Sequence, residues 1–496
     1  MRACCALLLS TTLLPACFAL RPSDGGGQTK DKSAPPSSDP QVHVPDGYRI
    51  ERVAHGLTFP TGVAFDEAGQ PFVVEGGYSY GEVFETPRLV AVEAGGALKE
   101  IARGDRHGWN GVAFADGAFF VAEAGITSPG RILKLGKDGS TVVVVDDLPS
   151  LGDHHVNGPL VKDGFVYFGI GTATNSGVVG VDNADMGWLG RAPAFHDVPC
   201  EDIALSGERF TSKNPLTPDD DDAVTGAFQA FGSADAQVVK GQVPCTGAVL
   251  RTSTSGDGPI ELVAWGFRNP FGLAADDRGR IFVTDNGYDQ RGSRPIYGNA
   301  DWLWELVPGA WYGWPDYADG NSVVDDRYGT LGTPPRRKLL AKDPGEPQQP
   351  RARFGVHSSS NGFDFSRRPQ GEELSRSAGF GHEGQAFVAQ FGDMAPQVGK
   401  VLAPVGFQVV RVDVDTGVIE PFAANAGPEN GPASLLGIDG LERPIAARFD
   451  PSGGALYIVD FGVMTIGEQG PVPKPRTGAL WKIERDTSIE LSRRTP

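Results

Sequence analysis

The stretch RNPFGLAADDRGRIFVTDNG at residues 268–287 is typical of two apolar strands joined by a tight Asp-Gly turn. A small or glycine-containing start leads into the first strand, and a polar or acidic residue before glycine follows the second. The pattern recurs five times, at 60–77, 109–125, 156–172, 360–365 resuming at 384–393, and 443–462. Six related hairpins predict an all-β fold, a six-bladed β-propeller.

The spacing of the hairpins agrees with propeller blades. The first three start 49 and 47 residues apart, close to the roughly 40–50 residues of a four-stranded blade. The last hairpin is followed by one strand, GALWKIER at 478–485, which leaves its blade one strand short. The strand YRIERVA at 48–54 has no blade of its own, so we expect it to close the last blade. A β-sandwich or two separate β domains is the alternative.

Charge and composition indicate which partners the chain excludes and where its domains begin and end. The net charge of −18 over 496 residues repels phosphate backbones and argues against a nucleic-acid partner. Residues 21–47 hold few apolar side chains, so we expect a flexible tether there. The propeller is then expected over 48–486, with a C-terminal tail at 487–496 and insertions at about 175–245, 288–355 and 366–383.

The N-terminal segment and the cysteines predict an exported protein. Residues 1–20 contain a short apolar run typical of a signal peptide, and its LPAC ending resembles a bacterial lipobox with Cys17 as the lipidated residue. We expect a periplasmic or cell-envelope lipoprotein that touches the membrane only through its lipid anchor; ordinary secretion is the alternative. Outside the cytoplasm, Cys200 and Cys245 are expected to form a disulfide, the alternative being two free thiols.

Both open ends of each hairpin lie at the same mouth of the channel, because the chain enters on the innermost strand and returns on the second. A polar ring at such a mouth is the default binding-site hypothesis. The expected ring includes Asn110, His155, Asn157, Arg268, Asn269, Asn361 and Arg443 before the first strands, and Glu75, Glu123, Thr172, Asp285, Gln390 and Asp460 after the second strands.

Three kinds of side chain in this region carry candidate chemistry. His155 has the residue type of a general base, although a structural histidine is the alternative. Arg268 is suited to grip a carboxylate, or else to form an ion pair between blades. Asp285, Asp289 and Asp301 are candidate oxygen ligands for a hard cation such as Ca²⁺, with backbone carbonyls of the intervening loop.

Five segments together resemble the glucose/sorbosone dehydrogenase family, whose members are six-bladed propellers that use pyrroloquinoline quinone (PQQ) and Ca²⁺. The segments are DHHVNGPL (153–160), AWGFRNPFGLA (264–274), VTDNGYD (283–289), NADWLWEL (299–306) and WYGWPDY (311–317). The resemblance implies oxidation of a sugar hydroxyl, with hydride passing to the quinone and electrons leaving to an acceptor outside this chain.

The resemblance also implies roles for single residues. His155 corresponds to the base that takes the sugar hydroxyl proton, and Asp301 to an acidic residue that helps bind Ca²⁺. The Arg268-Asn269 pair corresponds to residues that contact the quinone oxygens, and Arg443 to one that contacts a cofactor carboxylate. The cofactor-binding residues expected are therefore Arg268, Asn269, Arg443 and Asn110.

Two other functions remain open from the sequence. Thr172 stands where the resemblance leads us to expect an aspartate, and no lysine follows the fifth hairpin, where Gln390-Phe391-Gly392 is found. These departures favour a non-catalytic, lipid-anchored propeller that binds a sugar or a partner. A calcium-dependent lactonase-like hydrolase is the second alternative.

Overall fold

The computed structural model describes residues 30–77, 83–125, 127–330, 333, 335–368, 379–399, 401–467 and 470–486. The expected signal peptide at 1–20 with Cys17 and the C-terminal tail at 487–496 lie outside the described residues, as does the part of the third insertion over 369–378.

Six antiparallel sheets form the six blades, which confirms the fold expected from the hairpins. Blade 1 contains Gly62–Phe65, Pro71–Glu75, Arg88–Val92 and Leu98–Arg103. Blade 2 contains Trp109–Ala115, Ala118–Glu123, Gly130–Gly136 and Thr141–Leu148. Blade 3 contains Val156–Lys162, Phe165–Ile170, Ala248–Ser253 and Glu261–Trp265.

The remaining three blades follow the same order along the chain. Blade 4 contains Pro270–Ala275, Ile281–Asp285, Ala300–Glu305 and Ala352–Val356. Blade 5 contains Ser360–Phe365, Ala386–Gln390, Gln408–Val412, Ile419–Asn425 and Val42–His43. Blade 6 contains Pro444–Phe449, Ala455–Asp460, Gly478–Arg485 and Tyr48–Leu57. The innermost strands contact one another in cyclic order, so the sheets form a closed ring.

The N-terminal strand closes the ring as expected. Tyr48–Leu57 pairs antiparallel with Gly478–Arg485 and is the outer strand of blade 6. The preceding residues 30–47, which belong to the expected tether, also contact the propeller. Val42–His43 pairs with the outer strand of blade 5, and the backbone N–H of Gln41 donates to Asp439 O at 2.7 Å.

Glycines in the innermost strands narrow the centre of the channel. An added Cβ on Gly62 would lie 2.9 Å from Gly111 Cα, and one on Gly111 would lie 1.8 Å from Gly158 O. Blade 6 has an alanine at this level, and a Cβ on Gly362 would lie 2.9 Å from Ala446 Cα. The cavity left at this level is only about 40 Å³. We call it the neck; its lining includes Thr61, Asn110, Gly158, Phe271, Gly362 and Ala446.

Aspartates fix the hairpin turns at the opposite end of the blades. Asp66 Oδ1 accepts hydrogen bonds from the backbone N–H groups of Ala68 and Gln70, at 3.0 and 2.9 Å. Asp276 makes the same pair of contacts in blade 4, also at 3.0 and 2.9 Å. These side-chain acceptors replace the missing strand partners of the turn, which is why Asp-containing turns recur in the six hairpins.

Apolar residues of each strand pack between neighbouring blades. Val74 of blade 1 belongs to one buried cluster with Phe119 and Val121 of blade 2. Phe282 of blade 4 packs on Phe365 of blade 5, with ring centroids 5.1 Å apart. The core is therefore divided among the contacts between blades, and the polar residues at the strand ends are left for the mouths of the channel.

The long segments between strands form small elements above the blades. The paired strands are Ile203–Ala204 with Val238–Val239, Arg209–Lys213 with Asp222–Gly226, Tyr317–Ala318 with Asn321–Ser322, and Met464–Gly467 with Gly470–Pro473. The described helices are Val181–Asp185, Ala433–Leu436 and a 3₁₀ turn at Asp326–Tyr328. Cys200 and Cys245 form the expected disulfide.

Two observations refine the domain description. The segment 288–355, expected as an insertion, supplies the third and fourth strands of blade 4, Ala300–Glu305 and Ala352–Val356. Its tryptophan-rich strand is buried between blades, so it belongs to the sheet. Over the described residues, no helix is long and apolar enough to cross a membrane.

Candidate functional site

A cavity of about 270 Å³ lies at the mouth where the open ends of the hairpins meet. This volume is slightly below the range of about 300–1,000 Å³ that is usual for small-molecule sites. Its walls come from blades 3, 4 and 5 and from the loops above them. The lining residues used below are Asp153, His154, His155, Asp185, Trp188, Arg191, Arg268, Asn269, Asn286, Asp289, Arg291, Asp301, His357, Ser359 and Gln397.

Five of the eight expected site residues line this cavity, namely His155, Arg268, Asn269, Asp289 and Asp301. The first three immediately precede the innermost strands of blades 3 and 4, so the shared hairpin geometry brings them together. Asp301 lies on the third strand of blade 4, and Asp289 lies in the loop that precedes that strand. Residues more than 130 positions apart in the chain therefore surround one space.

Asp285, Arg443 and Asn110 are not among the residues that line this cavity. Asp285 ends the second strand of blade 4 and accepts the backbone N–H of Asn269 at 2.6 Å. Burial raises the pKa of Asp285 to about 7, against the opposing effect of these backbone donors. Asp285 therefore holds the loop that carries Arg268 and Asn269 in place.

Arg443 is enclosed by blade 5. Its guanidinium lies 4.9 Å from the ring centroid of Phe391 and 5.0 Å from that of Phe407. Its Nη1 donates to the carbonyl oxygen of Asp393 at 3.2 Å. Asn110 lies in the neck, where its side chain donates to Asn157 Oδ1 at 3.2 Å. Neither side chain takes the position beside the cavity that the sequence led us to expect.

His155 has a defined tautomer. Its Nδ1 lies 3.1 Å from the carbonyl oxygen of Ser150, which can only accept, so Nδ1 carries the proton and Nε2 carries the lone pair. Burial lowers the pKa of His155 to about 4, so its imidazole is neutral at ordinary pH. The neighbouring His154 has the same arrangement, with Nδ1 at 2.9 Å from Thr172 O. The cavity therefore contains two neutral imidazoles of fixed orientation.

Arg268 is bound on the protein side of the cavity. Its Nη2 donates to Asp289 Oδ2 at 2.6 Å, and its Nε donates to the carbonyl oxygen of Asn175 at 3.2 Å. Burial alone would raise the pKa of Asp289, but the positive charges of Arg268 and Arg291 outweigh it and hold that pKa below its ordinary value. The carboxylate of Asp289 is thus ionised and paired.

Arg291 extends this pair into a network. Its three nitrogens donate to Asp153 at 2.7 Å, Asp182 at 2.7 Å and Asp289 at 3.0 Å. Burial raises the pKa of Asp182 to about 6, with the charge of Arg291 opposing that rise. The network joins the loop before blade 3, the helix Val181–Asp185 and the loop of blade 4, which fixes the wall of the cavity.

The three aspartates expected to share a calcium ion do not form one ligand set. Asp301 Oδ1 accepts the N–H of Gly287 at 2.9 Å, and its Oδ2 accepts from Ser358 Oγ and Ser360 N, both at 3.0 Å. Asp285 and Asp289 are engaged by the donors described above. Among the residues that the structure describes, no group of three His, Cys, Asp or Glu side chains is placed to hold a metal ion.

His357 is a site residue that the sequence analysis missed. It lines the cavity, its Nδ1 lies 3.9 Å from Asp289 Oδ1, and its buried Nε2 has no hydrogen-bond partner in the described part of the chain. Its φ of 61° lies in the left-handed region, which is unusual outside glycine and often marks functional sites. The signal in the sequence was its place in HSSSNG, just before the innermost strand of blade 5.

Comparisons with known proteins show the class of fold. No protein-family model matches the sequence, and no curated protein matches it. Among solved structures, the PQQ domain of pyranose dehydrogenase from Coprinopsis cinerea, in its holo form, has a TM-score of 0.53 at 14% identity and covers 91% of this chain and 98% of that chain. A carbohydrate-active enzyme of family AA12 from Trichoderma reesei has a TM-score of 0.53 at 15% identity, covering 92% and 100%.

A further solved structure, a glucose dehydrogenase, has a TM-score of 0.50 at 16% identity and covers 88% of this chain and 99% of that chain. The likeness extends over nearly the whole length of each protein, so this chain shares the fold of these three structures. The resemblance seen in the sequence is thereby confirmed at the level of the six-bladed propeller.

Proposed function

We propose that this protein oxidises a hydroxyl group of a sugar with PQQ as the hydride acceptor. The observation that carries the proposal is His155, a buried neutral imidazole whose proton is on Nδ1, in the wall of a cavity shared with Arg268 and Asn269. The fold of the sugar dehydrogenases supports the same reaction class.

The donors of the lining fit the oxygen-rich quinone. Three arginines, three histidines and the amides of Asn269 and Asn286 surround the cavity. Arg191, Arg268 and Asn269 would hold the quinone and carboxylate oxygens through N–H donors. When bound, the quinone supplies the acceptor for the hydride that leaves the carbinol carbon.

A residue of the chain takes up the proton that leaves the sugar hydroxyl. His155 Nε2 accepts the proton of the sugar hydroxyl, and the hydrogen bond from Nδ1 to Ser150 O steadies the imidazolium that results. Arg268 supplies positive charge near the oxygen as it becomes a carbonyl. Asp289 and Asp285 hold the guanidinium and the backbone of Arg268 in position.

The fit of calcium differs from that of the quinone. Asp285, Asp289 and Asp301 are each engaged by protein donors and are not grouped as ligands. No step of the reaction is therefore assigned to a calcium ion held by these side chains. The assay below therefore compares activity with and without added Ca²⁺.

The proposal is tested by dye reduction with a panel of aldoses after reconstitution with PQQ, with and without added Ca²⁺. We expect turnover by the wild-type protein and a loss of about 10²–10⁴-fold in His155→Asn, the usual contribution of a general base. His196→Asn, a histidine outside the cavity, is the matched control. Absence of turnover with every sugar, or full activity in His155→Asn, would contradict the proposal.

A second candidate is a propeller that binds sugars without redox chemistry. The observation in its favour is that Arg268 and Arg291 already carry three carboxylate partners, Asp153, Asp182 and Asp289, so these two guanidinium groups suit a neutral sugar as well as an anionic cofactor. Calorimetric binding of an aldose by protein that neither binds PQQ nor reduces dye would favour this candidate. Opening of a lactone without PQQ would instead indicate the hydrolase.

Export and the electron acceptor remain proposals. We propose that residues 1–20 direct export, that Cys17 is lipidated, and that an acceptor outside this chain receives the electrons. The anchor is tested by Cys17→Ser, which is expected to move the protein from the membrane fraction to the soluble fraction. Wild type and variant both in the soluble fraction would favour ordinary secretion, and both in the membrane fraction would contradict the anchor at Cys17.

A further inference from the structure

A second cavity lies at the opposite end of the channel, where the hairpin turns gather. Its volume is about 430 Å³, and it is formed by the turn ends of blades 1, 2, 3, 5 and 6. We call it the turn-side pocket; its lining includes Phe65, Phe114, Leu160, Arg367, Arg448 and Phe449.

The turn-side pocket is separate from the cavity of the proposed function. The neck lies between the two mouths and has a volume of only about 40 Å³. Val112, Pro159 and Arg448 line both the neck and the turn-side pocket, whereas no residue of the neck lines the other cavity. The close approach of the innermost strands narrows the passage, and a ligand in the turn-side pocket would contact none of the residues that line the other cavity.

The walls of the turn-side pocket combine apolar surface with positive charge. Phe114 of blade 2 and Leu160 of blade 3 are partly exposed and supply apolar surface. Phe65 and Phe449 lie behind them, buried between blades. Arg367, Arg368 and Arg448 also line it, in a chain whose net charge is −18. A concentration of arginines against that background favours an anionic ligand.

The two aspartates in the lining are already engaged by the backbone. Asp364 accepts the N–H groups of Phe365 at 2.9 Å and Phe449 at 3.1 Å. Asp450 accepts the N–H groups of Gly454 at 3.0 Å and Ala455 at 2.9 Å. These contacts fix the turns and direct both carboxylates toward the backbone.

The arginines of the turn-side pocket can still donate hydrogen bonds to a ligand. Arg367 lies 3.7 Å from Asp364 and 3.9 Å from Asp277, distances at the outer limit of an ion pair. Arg448 is half-buried and has no ion pair or side-chain hydrogen bond among the described residues. A half-buried guanidinium in a pocket shared with Phe114 and Leu160 has lost part of its hydration. The anionic group of a ligand would restore its hydrogen bonds, and an apolar body would cover the two apolar side chains.

We propose that the turn-side pocket binds a small amphipathic organic anion, with one carboxylate or sulfonate that contacts Arg448 and an apolar body of one or two rings against Phe114 and Leu160. We assign binding to this pocket and no chemical reaction.

The test uses anilinonaphthalene sulfonate as the probe and the full chain as the protein. Its fluorescence titration is expected to show one saturable site that weakens with added salt. The uncharged analogue N-phenylnaphthylamine should bind about tenfold more weakly, and Arg448→Met should weaken the sulfonate by about tenfold, since it keeps the aliphatic stem and removes the charge-assisted hydrogen bond. Arg278→Met, at an exposed arginine of another turn, is the matched control.

Three results would overturn the proposal. They are equal affinity of Arg448→Met and wild type, equal affinity for the charged and uncharged probes, and binding that does not saturate. Arg448→Lys, which keeps the charge, must bind more tightly than Arg448→Met, and a thermal melt of each variant checks that it is folded. His155→Asn is expected to bind the probe with the affinity of wild type. The test of the turn-side pocket then does not depend on whether the proposed sugar oxidation is correct.

Discussion

A backbone carbonyl decides which nitrogen of His155 is the base. Ser150 O accepts from Nδ1, and burial keeps the ring neutral. The sequence DHHV offered two histidines and no means to assign their tautomers. Both proved to be held through Nδ1, His154 by the carbonyl of Thr172. The chemistry of the site thus depends on two carbonyl groups, that of Ser150 in the loop before blade 3 and that of Thr172 just after its second strand.

The pKa of His155 predicts the pH profile of the proposed reaction. Because burial lowers that pKa to about 4, the imidazole stays deprotonated down to that pH. We expect the limb of kcat/KM due to His155 to lie near pH 4, with no change from this group between about pH 5 and 8. A limb at the ordinary histidine pKa near 6.5 would contradict the buried setting.

The buried carboxyl group of Asp197 predicts how the free energy of unfolding depends on pH. It accepts from Ala173 N at 2.6 Å, Thr174 Oγ1 at 2.5 Å and Thr246 Oγ1 at 3.1 Å. Burial raises its pKa from 3.8 to about 7, although these hydrogen bonds oppose the rise. Between these two values the folded protein keeps the proton and the unfolded chain releases it. The free energy of unfolding therefore falls as the pH rises through this window.

Asp197→Asn removes this titration. We expect the variant to be less stable than wild type at pH 4. Because wild type loses stability as the pH rises, the difference between the two should shrink by on the order of a few kcal/mol at pH 8. Urea denaturation across this range measures the difference. Asp219→Asn, an exposed aspartate in the same insertion, should parallel wild type at every pH. A constant difference between Asp197→Asn and wild type would show that Asp197 is ionised throughout.

The innermost strand is the element that makes the ring possible. Each of the first five blades has a glycine near the start of this strand, and in all of them except blade 3 the backbone of the next blade approaches it closely. Gly111 is the most constrained, with φ of 93° and Gly158 O at 1.8 Å from the position of an added Cβ. A side chain at this level would push neighbouring blades apart.

Gly111→Ala is therefore expected to destabilise the protein by about 3 kcal/mol or more, through both contact and backbone strain. Gly190→Ala is the matched control, because its φ is not in the left-handed region and an added Cβ there meets no atom within 4 Å. That control should stay within about 0.5 kcal/mol of wild type. Chemical denaturation of both variants measures the two effects, and equal stabilities would refute the close approach.

The whole molecule is closed by strands from opposite ends of the chain. Tyr48–Leu57 covers the edge of Gly478–Arg485, and Arg52 stacks on Trp481 with 4.2 Å between the guanidinium carbon and the ring centroid. Without the N-terminal strand, blade 6 would present an unpaired edge to solvent and the ring would lose its closing contact.

This closure predicts the effect of truncation. A chain that begins at residue 58 should aggregate and lower the midpoint of thermal unfolding by more than about 10 °C, whereas a chain that begins at residue 44 keeps the closing strand and should remain soluble. Size-exclusion chromatography and thermal melting compare the two. Similar behaviour of both chains would mean that blade 6 is stable with three strands.

The six hairpins were predictable because their signals are local. Alternating apolar residues and Asp-Gly turns such as those at Asp66 and Asp276 specify strand pairs over about twenty residues, and six repeats leave the ring as the natural arrangement. The same repeat placed His155 and Arg268 at one mouth, and both line one cavity because hairpin geometry transfers from blade to blade. Asp301 reaches that cavity from the third strand of blade 4.

Long-range packing decided the rest, because no local pattern encodes it. Arg443 precedes its strand as Arg268 does, but Phe391 and Phe407 enclose its guanidinium. The carboxylates of Asp289 and Asp301 line one cavity, yet different donors hold them. The sequence by itself determined how many blades there are and which ends meet. The tertiary structure alone decided which charges are paired, since that depends on atoms brought from distant parts of the chain to within hydrogen-bond distance.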